Sequence, residues 1–170
     1  ISAWDGYDNS LVPDMLSFGM KTPINCDELS DDQHNNHKNI NPEYFANAYF
    51  NYVVETHFDN DTIFLTEKTF KPILNLQPFI IIGNPGSLQL LKDLGYKTFS
   101  EVIKEEYDTI SNHKDRMSQL LKSSFDLCNL SHTHHMRIQT ILSQTLQYNQ
   151  KLFLSPKVNR INKLLNELEY

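Results

Sequence analysis

Cysteine is nearly absent from this chain of 170 residues. Cys26 and Cys128 are the two, and neither has the close partner that a CxxC metal or redox motif needs. Two isolated cysteines suit free thiols in a reducing, cytoplasmic setting better than a single disulfide. Positive charge is also scarce: Lys and Arg total 15 against 21 Asp and Glu, a formal net charge of −6. That balance argues against non-specific nucleic-acid binding, which needs a basic face. No apolar run approaches the length that crosses a bilayer, and residues 1–10 are polar and acidic, unlike a secretory signal. The chain opens on Ile1 rather than methionine, as a processed or truncated chain would. The HExxH zinc motif, the GxSxG nucleophile elbow and the glycine spacing of dinucleotide or P-loop fingerprints are all missing.

What is present can build one core. Hydrophobic residues make up 39% of a chain whose length suits one compact domain or one half of a bilobal protein. Residues 1–41 are rich in Asp, Asn, Ser and Pro, with a short helix expected only near 11–18, and they read as a polar lead or interdomain segment. Residues 42–110 alternate between β and α character. Pro42 suits the first position of a short helix over 42–48, and the β-branched and aromatic run 49–55 (YFNYVVE) suits a strand. Thr66 can cap a helix over 67–76 that Pro72 should bend or shorten. Residues 78–82 (PFIII) read as a strand buried on both faces, and Gly83-Asn84-Pro85-Gly86 as a turn. Ser87 then caps a helix that stops at Gly95, a third strand follows over 96–99, and the acidic run after it reads as a solvated surface helix. Residues 111–170 are helical, with stripes at Met117, Leu120, Leu121 and Phe125, at Ile138, Ile141, Leu142, Thr145 and Leu146, and from Ile161 to Leu168. These helices are taken as part of the same domain. The fold class is therefore α/β, a Rossmann-like parallel sheet with a helical C-terminal region.

The chemistry concentrates between Glu55 and Gly86. Thr66, Glu67 and Lys68 stand where a helix begins, and the unpaired N–H groups and dipole of a helix start favour anions. Lysine adds a mobile charge for a phosphate, and glutamate can accept from sugar hydroxyls. Ligands on parallel sheets bind beyond the carboxyl ends of the strands, where Glu55, Gly83 and Asn84 are expected. The segment suggests a site for a phosphorylated, hydroxyl-rich ligand such as a sugar nucleotide. The histidines form two groups, His34 and His37 beside Asp31 and Asp32, and His132, His134 and His135. Neither has the spacing of a known metal site, so no metal is assigned.

The stretch ETHFDNDTIFLTEKTFKPILNLQPFIIIGNPG resembles the donor-binding segment of the α-1,3-fucosyltransferases. In that family the order is FENS, a spacer, an aromatic residue, [TS]EK, a helix, and a buried strand headed by proline. Glu55-Thr56-His57 stands for the ENS part, Phe64 to Lys68 for the aromatic and TEK part, and Gln77 to Ile81 for the strand. The asparagine and serine of ENS are replaced here by Thr56 and His57. The resemblance implies the C-terminal donor-binding lobe of a GT-B glycosyltransferase, with residues 42–110 as its nucleotide-sugar-binding core. By that likeness Glu67 contacts the ribose or sugar, Lys68 the diphosphate with Lys71 as second candidate, and Glu55 faces the donor sugar. It implies a GDP-sugar donor, no required cofactor or metal, and transfer to a glycan or other hydroxyl acceptor. The general base is expected from an N-terminal acceptor lobe outside this chain, with Asp5, Asp8 and Glu55 as local substitutes. The competing reading is a non-catalytic α/β interaction or carbohydrate-binding module, whose C-terminal helices would expose an apolar face.

Overall fold

The first element of the computed structural model, which describes Ile40 and residues 42–59 and 62–155, is a short exposed helix, α1 (Pro42–Ala46). After it, the two most β-prone segments pair side by side. β1 (Asn51–Val54) and β2 (Phe79–Ile82) run parallel, with Asn51 opposite Phe79 and Val54 opposite Ile82. The ladder reaches past both ends, because Asn51 N–H donates to Pro78 O and Glu55 N–H to Ile82 O, each at 2.9 Å. Parallel strands need a crossover, and α2 (Glu67–Leu74) supplies it. The protein is thus mixed α/β, with a two-stranded parallel sheet among the described residues. Residues 1–39 and 41 of the expected lead 1–41, with Asp5, Asp8, Cys26 and the first histidine group, lie outside the described residues, as does the last helical stripe.

The two strands bury different amounts for reasons visible in their composition. β2 is apolar throughout, and Phe79, Ile80 and Ile81 are all buried. β1 alternates, with Val53 buried while Tyr52 and Val54 stay exposed. Around β2 gather Ile73, Leu88, Leu91, Phe99, Tyr107, Leu120, Leu142 and Leu146, which form one core.

α2 is shorter than the expected 67–76. Thr66 caps it as anticipated, accepting from Lys68 N–H, but after Pro72 the helix lasts only to Leu74. The chain then closes in a Schellman turn: Leu76 N–H donates to Ile73 O at 3.3 Å and Gln77 N–H to Pro72 O at 3.0 Å. Leu76 holds the left-handed position at φ 53, where glycine is usual. α3 (Ser87–Asp93) ends in the same turn with the expected Gly95, at φ 92, in that place.

Three expectations for residues 87–109 need correction. Ser87 does not cap α3; it is the first helical residue, and Gly86 precedes it at φ 85. Residues 96–99 are not a strand. The amide of Asn149 takes the place of a neighbouring strand, accepting from Lys97 N–H at 2.9 Å and donating to Lys97 O at 2.8 Å. The acidic run is not a solvated helix either. It folds as a 3₁₀ helix (Glu106–Thr109) that buries Tyr107 and Asp108, and burial raises the Tyr107 phenol pKa. Because Asn149 is itself buried, Asn149→Ala should cost about 2 kcal/mol, the penalty for stranding two backbone groups. A urea midpoint equal to that of wild type would show that the segment holds without the amide.

The C-terminal helices are α4 (His113–Cys128) and α5 (His132–Phe153). α4 is rotated from the expected stripe: Arg116, Leu120, Ser123, Ser124 and Leu127 face inward, and Phe125 is exposed. The buried serines are satisfied, Ser124 Oγ by Leu120 O at 2.7 Å and Ser123 Oγ by Lys104 O at 3.2 Å. Leu142 and Leu146 of α5 are buried as expected, while Ile141 is not. Cys128 is a free, exposed thiol. Among the described residues no helix is long and apolar enough to cross a membrane.

Candidate functional site

The carboxyl ends of β1 and β2 meet the start of α2, and Glu55 stands at the junction. It follows the last residue of β1 and points inward like Val53, with its side chain only 1% exposed. Its carboxylate accepts from Thr66 N–H at 2.9 Å, Thr66 Oγ1 at 2.7 Å and Thr69 Oγ1 at 2.5 Å. A buried carboxylate is tolerated when donors surround it, and here all three donors come from the cap and first turn of α2. Glu55 therefore fixes that helix to the end of the strand. Thr69, one turn from Thr66, completes the arrangement, and the sequence reading passed over it.

Lys68 lies on the solvent side of the same junction. Its ammonium is 4.0 Å from Glu55 Oε2, 3.3 Å from Thr56 Oγ1 and 3.4 Å from Thr66 Oγ1. The side chain is 43% exposed, so a ligand can reach it. A cation in the first turn of a helix lies at the positive end of the dipole, which is unfavourable. Glu55 offsets that, and an arriving anion would meet the ammonium and the helix start together. Glu67 is partly buried in the first turn of α2, and Lys71, also partly buried, is in its last turn.

Gly83 and Asn84 are buried and serve the fold. A Cβ at Gly83 would come within 3.0 Å of Ser87 Oγ, 3.2 Å of Ile81 Cγ2 and 3.5 Å of Glu55 Cβ, so glycine lets β2 close against Glu55. Asn84 Nδ2 donates to Thr62 O at 2.6 Å, and Asn84 O accepts from Ser87 Oγ at 2.7 Å. The structure thus brings Glu55, Thr66, Lys68 and Gly83 together, while Asn84 ties the turn to the β1–α2 loop through Thr62 O.

The start of α3 already holds an anion. Asp108 accepts from Leu88 N–H at 3.0 Å and Gln89 N–H at 3.2 Å, and its backbone oxygen accepts from Gly86 N–H at 2.8 Å. Burial pushes its carboxyl above the usual range, and the bonds from Leu88 and Gln89, with Lys92, pull it back. Beside it opens a cleft of about 400 Å³ lined by Gly86, Leu88, Lys92, Glu105 and Asp108. Glu105 is occupied, accepting from Phe99 N–H at 2.7 Å, Thr98 Oγ1 at 2.9 Å and Lys92 Nζ at 3.4 Å.

Arg116 also escaped the sequence reading, because an arginine in a helix reads as surface. It is 1% exposed and gathers three carbonyls: Ile110 O at 2.9 Å, Ser111 O at 3.1 Å, and Phe58 O. Its guanidinium lies 4.3 Å from the Phe58 ring centroid. Burial lowers its pKa, while Asp108 and Asp59 counter that shift. Through Phe58 it anchors the start of the loop between β1 and α2. Among the described residues no group of three or more His, Cys, Asp and Glu is placed to hold a metal ion.

No protein family, curated protein or solved structure compared with this chain matches it.

Proposed function

We propose that this chain binds the donor of a glycosyltransferase, a nucleotide-sugar, at the junction of β1 and α2. The observation that carries this reading is the exposed Lys68 ammonium, placed at a helix start beside the hydroxyls of Thr56 and Thr66. Two parallel strands joined through α2, with α3 following β2, support the reading of a Rossmann-like sheet of the GT-B C-terminal-lobe type. In this account Lys68 and the helix start take the diphosphate. They stabilise the charge that develops as the nucleoside diphosphate leaves. Glu67 accepts from ribose or sugar hydroxyls, and Lys71 lends charge one turn on. Glu55 acts as a positioning residue, because its oxygens already hold Thr66 and Thr69. The acceptor hydroxyl and its general base belong to a second lobe.

Hydrogen exchange of the first-turn amides of α2 tests the reading. A nucleotide-sugar should slow exchange at Lys68 and Thr69 and leave α5 unchanged. Equal rates with and without every nucleoside diphosphate and nucleotide-sugar tried would overturn it.

A second reading, a non-catalytic interaction module, is favoured by the exposed Phe125, Met136 and Ile141 on α4 and α5. It expects no nucleotide effect anywhere in the chain.

A further inference from the structure

Three side chains of α5 hold one tyrosine. His132, His135 and Gln139 recur at i, i+3 and i+7, so they share a helix face. All three reach Tyr49, which lies just before β1 and is separated from it by Phe50. The Tyr49 hydroxyl bonds His132 Nδ1. The His135 ring stacks on the Tyr49 ring, with centroids 4.2 Å apart and planes 1° from parallel. Gln139 Nε2 donates to Tyr49 O at 2.7 Å. Phe50 also stacks on His135, with ring centroids 6.3 Å apart.

We propose that the first turn of α5 is an acid-released latch on Tyr49, closed while its imidazoles are neutral and opened when they take up protons. With the tyrosine hydroxyl donating, His132 Nδ1 must be unprotonated to accept. Ser131 imposes the same condition next door: its hydroxyl accepts the His134 N–H at 3.4 Å and lies 2.7 Å from His134 Nδ1, to which it can give its proton only while that ring is neutral. All three histidines sit in the first turn of a helix, where the dipole opposes positive charge. Burial, and then the charges of His132 and His134, hold the His135 imidazole below its usual value. The titratable groups facing it are Tyr49 from the lead into β1 and its two helix neighbours. Beyond Phe50 stands Tyr52, whose phenol is pushed up to about 12 and so stays neutral.

The direction of the response follows. A histidine whose folded-state pKa is depressed stabilises the closed state fully above its open-state value of about 6.5 and loses that contribution as the pH falls toward its closed-state value. With the His135 imidazole kept neutral in the closed state, closure weakens by up to about tenfold per pH unit below about 6.5. Because Tyr49 and Phe50 feed β1, release frees the amino end of the strand whose other end carries Glu55.

Hydrogen exchange of the native chain, corrected for intrinsic rates, tests the latch between about pH 7.5 and about pH 5.5. Protection of residues 49–51 and of the first turn of α5 should fall roughly tenfold, with β2 unaffected. In His132→Gln/His135→Phe, which keeps an acceptor and the stacked ring but cannot titrate, protection should stay level. Wild-type protection that does not fall, or a variant that loses as much as wild type, overturns the proposal. If the variant fails to fold, NMR titration of wild type decides: His135 must protonate below about 6.5, together with loss of its ring-current contact to Tyr49. Protonation at or above that value with the contact intact overturns the latch.

Discussion

Glu55→Ala is expected to destabilise the protein by about 3–4 kcal/mol, because it strands a buried N–H and two buried hydroxyls at once. Bonds to a charged acceptor are worth about 1.5–3 kcal/mol each, and the sum is reduced by relaxation around the gap. The loss is a large fraction of the ~5–15 kcal/mol that holds a typical domain. Glu55→Gln should cost less, about 1–2 kcal/mol, since its amide oxygen can still accept from Thr66 N–H while the hydroxyls reorient. Lys68→Ala, on the exposed side of the same junction, should change stability by less than about 1 kcal/mol. Chemical denaturation of the three variants gives the comparison. Were Glu55→Ala to fold with near wild-type stability, the carboxylate would be free for a ligand, and the positioning role assigned to it would be wrong.

Arg116→Met should be nearly as damaging, about 3 kcal/mol, although the side chain touches no candidate ligand group. The hydrophobic replacement removes a buried charge, which by itself is neutral or favourable. It also leaves the carbonyls of Phe58, Ile110 and Ser111 without their shared donor, and that cost dominates. Arg116→Lys should fare little better, because one ammonium on a flexible stem cannot reproduce a planar fork that spans two loops. At about 2–4 °C per kcal/mol for a chain of this size, both variants should melt roughly ten degrees early. A lysine variant as stable as wild type would show that charge alone suffices there.

The parts of the fold that were legible in the sequence are those set by local chemistry. Thr66 caps α2 because a threonine hydroxyl before a helical stripe has few better uses, and PFIII makes a buried strand because its apolar run leaves no solvent face. Gly95 ends α3 because glycine takes the left-handed position at little cost. The parts that were not legible depend on distant partners. Residues 96–99 have strand composition, yet Asn149, 52 positions from Lys97, takes their backbone bonds. The acidic run has the composition of a solvated helix, yet Asp108 caps α3 from 20 positions away. α4 turned from its apolar stripe because Arg116 and two serines found buried partners that no spacing rule anticipates. At the candidate site, Thr66 and Lys68 were legible from the helix start. The division of labour between a buried Glu55 and an exposed Lys68 was not, because it depends on the inward direction of β1 and on Thr69.

The most direct test is a thermal-shift series of nucleoside diphosphates and nucleotide-sugars, with and without magnesium, on wild type and Lys68→Ala. A ligand that binds only the folded state raises Tm by mass action, with about 2.7 kcal/mol of stabilisation at a hundredfold excess over Kd. The account predicts a shift with one nucleotide family that disappears in Lys68→Ala, while the unliganded variant melts within a few degrees of wild type. A wild type unmoved by every nucleotide at roughly millimolar concentration, or a shift that persists without Lys68, would contradict it.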